Sequence, residues 1–273
     1  FIHQKSNVMS SAKMFPAPKI TTHVLQEMKL KGEKIAMLTG YDYSMARILD
    51  DAGIDIILVG DSLGNTTQGH ASTVPVTLDD MLYHTKAVRR GAPAHYIVAD
   101  MPFLTGSIGI EDSIRNAGQL IQAGADAVKL EIMSNRQLDS LRAITDSGIA
   151  VISHLGFTPQ ALSRIGGYKQ QGKTEADCVY YRRLARDSIQ AGAIALLLEL
   201  MPDALAKSIT EASEIPVIGV GAGPFCDGQG LVTYDVLGLS ERPPRFATAY
   251  CDGAGIITAA LNSFITAVQS KVQ

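Results

Sequence analysis

Cysteine is scarce in this chain: Cys178, Cys226 and Cys251 are odd in number and widely spaced. That pattern supports neither a zinc site nor a disulfide framework, and it fits a reducing, cytoplasmic setting. No apolar run reaches the ~18 residues that a membrane span needs. The longest candidates, 191–198 and 255–268, read as a buried strand and an amphipathic C-terminal helix. Lys and Arg form no blocks and the formal net charge is −3, which argues against nucleic acid or an anionic membrane as partner. There is no fixed-period repeat and no low-complexity tract. Phe1–Lys19 lacks an apolar core followed by a small-residue cleavage site, so it reads as a loosely ordered arm and not as a signal peptide.

What the sequence does contain is alternation. Short β-branched or apolar runs at Ile35–Thr39, Ile54–Val59, Tyr96–Ala99, Ala127–Leu130, Ala150–Ser153, Ala195–Leu198 and Val217–Val220 are separated by helical patterns. Those helices are expected near Tyr43–Ala52, Leu78–Arg90, Glu111–Ala123, Arg136–Ser147, Ala176–Ala191 and Ala204–Ala212. Leu231–Thr233 is a candidate eighth strand. The length of 273 residues is close to the ~250 typical of a (β/α)8 barrel. Seven or eight βα units without a visible linker predict one TIM-barrel domain over 20–273, with a doubly wound open sheet as the alternative.

Three of the strands end in acids. Asp61 follows Val59-Gly60, Asp100 closes the third strand, and Glu131 closes the fourth. In a parallel barrel these ends open onto one cup, where three carboxylates repel one another unless a cation sits among them. All-oxygen ligands with room left for water and substrate suit Mg²⁺ better than zinc. Lys129 lies two residues before Glu131 and therefore on the same strand face. The alternative is structural: the acids cap turns or helices, and Lys129 is a buried ion-pair partner. Glu199 directly follows an apolar strand, where desolvation would raise its pKa toward the range of a general base; a rim ion pair is the competing role. His154 also closes a strand, a position more often structural than catalytic. Gly219-Val220-Gly221-Ala222-Gly223 lacks the spacing of a dinucleotide loop and runs into Pro224, so its glycines point to close backbone approach instead.

Several stretches share a further property. Thr39–Ser44, Val59–Gly64, Gln68-Gly69-His70, Tyr83-His84-Thr85, Val88–Pro93, Leu155–Gln160, Gly166–Lys169, Gly219–Gly223 and Asp227-Gly228-Gln229 together resemble the ketopantoate hydroxymethyltransferase family, from about Ile20 to Tyr250. The resemblance implies a Mg²⁺-dependent (β/α)8 barrel that assembles as a homodecamer. It also implies transfer of a one-carbon unit from 5,10-methylenetetrahydrofolate to 3-methyl-2-oxobutanoate through a Mg²⁺-stabilised enolate, giving 2-dehydropantoate. On that resemblance Asp61, Asp100 and Glu131 surround the metal, and Ser62 and Lys129 contact the oxo acid beside Asp61 and Asp100. Glu199 accepts the proton; His154, from its strand-end position and not from the resemblance, is the accessory candidate. A folate-independent carbon–carbon lyase and a non-catalytic, ligand-binding member are the other readings. The chain departs from the family pattern at Ile132-Met133, where glycines are expected, at Ser153, and after Phe103, where a tyrosine is expected.

Overall fold

A computed structural model describes residues 19–270. The predicted arm, Phe1–Lys19, lies outside the described residues apart from Lys19. Eight parallel strands close into a barrel in sequence order: β1 (Ile35–Thr39), β2 (Ile56–Val59), β3 (Tyr96–Asp100), β4 (Ala127–Glu131), β5 (Val151–Gly156), β6 (Ala195–Glu199), β7 (Val217–Val220) and β8 (Gly228–Leu231). The helices are α1 (Thr22–Lys31), α2 (Tyr43–Ala52), α3 (Leu63–Thr66), α4 (Leu78–Gly91), α5 (Ile110–Ala123), α6 (Asn135–Asp146), α7 (Leu162–Ile165), α8 (Glu175–Gln190), α9 (Asp203–Ala212), α10 (Thr233–Val236) and α11 (Gly253–Gln269). The open-sheet alternative is thereby excluded.

Local chemistry sets the helix boundaries. Asp42 caps α2 by accepting from the Met45 amide, and Gly53 ends that helix in the left-handed region. Thr77 with Asp80, and Thr174 with Asp177, form reciprocal capping boxes at the starts of α4 and α8.

Period-two alternation divides the strands' apolar residues between two cores. Ile57, Val59, Ile97, Ala99, Val128 and Leu130 face outward against the helices. Ile56, Leu58, Tyr96, Val98, Ala127, Ile152, Ala195 and Leu197 fill the lumen. Leu25 and Met28 of α1 join the lumen cluster beside Ile35 and Met37, so α1 closes the N-terminal end of the barrel. Thr22 Oγ1 bonds the Tyr96 hydroxyl at 2.8 Å, and Lys29 pairs with Asp227 at 2.7 Å, fixing α1 in that position. The sequence reading did not anticipate α1.

One further expectation is corrected. The eighth strand is Gly228–Leu231, not Leu231–Thr233. Two glycines make it a weak strand former, yet it is recruited because β1 and β7 offer unpaired edges on either side. The expected amphipathic C-terminal helix forms as α11; it buries no residue, and Ile257, Leu261, Phe264, Ile265 and Val268 run along one exposed face.

Because Leu25 is almost fully buried in the lumen cluster, Leu25→Ala is expected to cost about 2–5 kcal/mol. The measurement is the urea unfolding midpoint. An unchanged midpoint would show that α1 does not close the barrel.

Candidate active site

The lumen-facing rows that are apolar at the bottom of the barrel end in polar groups at the top. Tyr96 and Val98 lead to Asp100, Ala127 leads to Lys129 and Glu131, Ile152 leads to His154, and Ala195 and Leu197 lead to Glu199. Register makes these ends neighbours: Asp100 pairs with Lys129, Glu131 with His154, and Gly156 with Glu199. Asp61 follows β2 immediately after Gly60. A Cβ at Gly60 would stand 2.8 Å from Ser62 Oγ and 3.5 Å from Asp100 Oδ2, so glycine there leaves the Ser62 hydroxyl its present place.

Every sequence-predicted site residue therefore reaches one cup. Lys129 Nζ lies 2.9 Å from Asp100 Oδ1 and 3.2 Å from His154 Nδ1. The Asp61 amide donates to Asp100 Oδ2 at 2.9 Å. His154 Nε2 is 3.3 Å from Glu199 Oε2, although the two are not aligned as a hydrogen bond. An ammonium has only donors to offer. His154 Nδ1 therefore accepts from Lys129, and the imidazole proton resides on Nε2, facing Glu199. Ser62, partly exposed, is oriented by the Tyr41 hydroxyl at 2.8 Å.

The electrostatics follow from crowding like charges in a dry space. Burial, reinforced by Asp100, lifts the Asp61 carboxyl to about 7 against the pull of Lys129 and a bond from Gln160. Burial and then Asp61 hold Glu131 well above the usual carboxylate range. Burial opposes the charge on Lys129, but Asp100, Glu131 and Asp61 together outweigh it and raise its pKa. His154 is held well below its ordinary value by burial and then by Lys129, and so it is neutral. Burial lifts Glu199 to about 8, with Lys129 opposing.

Among the described residues, no group of three His, Cys, Asp or Glu side chains is arranged to hold a metal ion by itself. The donor set nevertheless suits a hard cation. Glu131 Oε1 is buried without a hydrogen-bond partner, and Asp61, Asp100 and Glu131 converge on the single ammonium of Lys129. Mg²⁺ is commonly held by one or two carboxylates, with water and substrate completing its octahedron.

Backbone geometry aims Glu199. Gly156 has φ +99°, and a Cβ there would come within 2.3 Å of the Glu199 carbonyl oxygen. That same oxygen accepts from the Phe157 amide at 2.8 Å. Leu200, directly after Glu199, adopts φ +47°, a costly conformation for a non-glycine residue that turns the chain away from the strand.

The departures from the family pattern fall outside the carboxylate cluster. Ser153 points outward and bonds Ser188 of α8 at 2.9 Å, so its hydroxyl is satisfied. Ile132 and Met133 line a side groove of about 400 Å³ with Thr158, Arg164, Tyr180 and Tyr181, and none of the cup's acids borders it. Leu104, near the expected tyrosine, has φ +68° and is exposed. Sequence reasoning assigned no role to Tyr41 or Gln160, although both sit in the motifs that carried the resemblance. Their contacts bridge separate loops, which no local pattern reveals.

A sequence model described as ketopantoate hydroxymethyltransferase matches residues 19–272. The chain is 49% identical over 247 residues to the 3-methyl-2-oxobutanoate hydroxymethyltransferase of Geobacter metallireducens, covering 90% of this chain and 92% of that protein. It is 49% identical over 239 residues to the enzyme of the same name from Thermotoga maritima, covering 86% and 88%. Among solved structures, a phosphonopyruvate hydrolase in complex with oxalate and Mg²⁺ superposes with TM-score 0.59 at 16% identity, covering 92% of this chain and 87% of that one, a likeness of fold alone. With nearly the whole length matched, and with every acid, the lysine and the histidine gathered at one barrel mouth, the chain belongs to the ketopantoate hydroxymethyltransferase family.

Proposed function

We propose that this chain transfers a hydroxymethyl group from 5,10-methylenetetrahydrofolate to 3-methyl-2-oxobutanoate, giving 2-dehydropantoate on the route to pantothenate and coenzyme A. The observation that carries this reading is the single cup in which Asp61, Asp100, Lys129, Glu131, His154 and Glu199 converge. Asp61, Asp100 and Glu131 would hold Mg²⁺. When bound, the ion supplies Lewis acidity toward the carboxylate and keto oxygens of the oxo acid.

The chain's own groups divide the remaining work. Lys129 stays charged and offers its ammonium to the substrate carboxylate, with Ser62, held by Tyr41, as a second donor. Glu199 takes the proton from C3 of the oxo acid. The electron pair left on C3 forms the new bond to the folate's methylene carbon. Water supplies the hydroxyl oxygen as that carbon leaves the two folate nitrogens, which take up the remaining proton of that water and the proton removed from C3, and tetrahydrofolate departs. Neutral His154 turns its Nε2–H toward Glu199 and steadies the carboxylate as the base. Glu199 is suited to this task because desolvation raises its proton affinity, whereas Asp61 and Glu131 answer to the cation.

The reading also includes a homo-oligomer, of which a decamer is the form the family resemblance implies. Strands β2 to β5 are buried at every position. On the outer wall Ala36 of β1 and Gln229 of β8 are exposed among the described residues. In the same chain α11 exposes Ile256, Leu261, Phe264 and Val268. A second copy supplies an apolar surface for both features, and an apolar helix left in water is otherwise costly. A cytoplasmic location accords with the three free cysteines. Among the described residues no helix is long and apolar enough to cross a membrane.

Removing the divalent ion with excess chelator should abolish product formation, and added Mg²⁺ should restore it. Asp100→Asn and Glu131→Gln should each lower kcat/KM by about two orders of magnitude or more, on the scale of losing one buried charge-stabilising group. Full activity in chelator would refute metal dependence, and product formed without methylenetetrahydrofolate would favour a lyase. In heavy water with Mg²⁺ and no folate, the wild type should exchange the C3 hydrogen of 3-methyl-2-oxobutanoate for deuterium, faster as pH rises and Glu199 loses its proton. Glu199→Gln should keep substrate binding and lose that exchange; exchange at the wild-type rate would remove Glu199 as the base. Sedimentation at micromolar concentration should show a multiple of the 29.1 kDa subunit, and a single-subunit mass would contradict the oligomer.

A further inference from the structure

We propose that Gln160 is a positioning residue for the carboxylate cup, holding two acids by their outer oxygens so that inner oxygens remain for the cation. This rests on the reading that the cup takes a divalent ion. Gln160 lies in a short 3₁₀ turn, Pro159–Ala161, in the loop after β5. It is almost fully buried, and it reaches back across the barrel mouth.

Its carboxamide donates both N–H groups: one to Asp61 Oδ2 at 2.9 Å, the other to the Met101 carbonyl at 3.0 Å. Its backbone N–H donates to Glu131 Oε2 at 3.1 Å. One residue from the β5 loop thus ties down the ends of β2, β3 and β4. The second Glu131 oxygen, Oε1, is the buried atom left without a hydrogen-bond partner. Gln160 therefore occupies one oxygen on each of two acids and leaves unused the Glu131 oxygen that a ligand would require.

The chemistry selects glutamine at this position. A neutral carboxamide donates twice without adding charge, whereas a glutamate would bring a fourth carboxylate and no donor, and a lysine would compete with the cation. Asparagine is one methylene short of spanning from the turn to both acceptors. Partners that orient metal-binding carboxylates typically carry about 10–100-fold in metal affinity.

The test uses Mn²⁺ as probe, with the free ion counted by electron paramagnetic resonance as it is titrated into folate-free enzyme. Gln160→Met keeps the length and loses both side-chain donors. It should bind Mn²⁺ about 10–100-fold more weakly than wild type, while the Tm of the metal-free protein stays within a few degrees. A merely structural residue would shift Tm and leave the affinity of the folded fraction unchanged. Gln160→Asn, which keeps the amide but not the reach, should weaken binding in the same way and serves if the methionine variant does not fold. Wild-type affinity in either folded variant overturns the role of Gln160 while the cation reading stands. A wild type that takes up no Mn²⁺ overturns the cation reading itself, and this proposal with it.

Discussion

An ammonium buried beneath the mouth of a barrel stays charged only if anions surround it, and several anions stay buried only if cations do. Lys129, with Asp100 at 2.9 Å and Asp61 and Glu131 close by, meets both conditions in part. The balance is incomplete. Three carboxylates face one ammonium, His154 is driven neutral, and Asp61 and Glu131 resist ionisation. The cup therefore favours added positive charge, and the rest of the structure serves to keep these groups dry and close together.

The barrel supplies that closeness through register. Parallel strands with period-two side chains bring each row of lumen residues beside its neighbour's row. A row that begins with Tyr96 and Val98 ends in Asp100, next to the row that runs from Ala127 to Lys129 and Glu131. Apolar packing below and charge above belong to the same strands, so a slip in register would disrupt both. The lumen core, closed underneath by α1, is in that sense the foundation of the site.

The two poorly covered parts of the molecule contrast with this. The outer wall at β1 and β8 exposes positions that the other strands bury, and α11, tied to Leu237 and Gly238 at its first turn, buries none of its residues. Both accord with the proposed assembly of several copies. The amphipathic reading of 255–268 holds in its spacing, since Ile257, Leu261, Phe264, Ile265 and Val268 form one stripe, but that stripe is exposed rather than packed on the barrel.

Much of this was legible in the residue order. Strong β-branched runs with an acid at the end mark strands β2 to β4, because burial on both faces demands continuous apolar sequence and a carboxylate cannot continue it. Lys129 and Glu131 could be placed on one face because their spacing is a strand's period. Other features had no local signature. Strand β8 contains two glycines and exists because two neighbouring edges needed a partner. Gln160 reads as an ordinary loop residue until the fold sets it against Asp61, 99 positions away in the chain, and against Met101. The pairing of His154 with Lys129, and hence its neutral state and its proton's position, depends on two strands meeting in a particular register. Sequence by itself determined which side chains would stand at the barrel mouth, since alternation and strand ends are properties of neighbours along the chain. Tertiary structure decided which of them touch and which carry charge, because contact and desolvation depend on what lies across the cup.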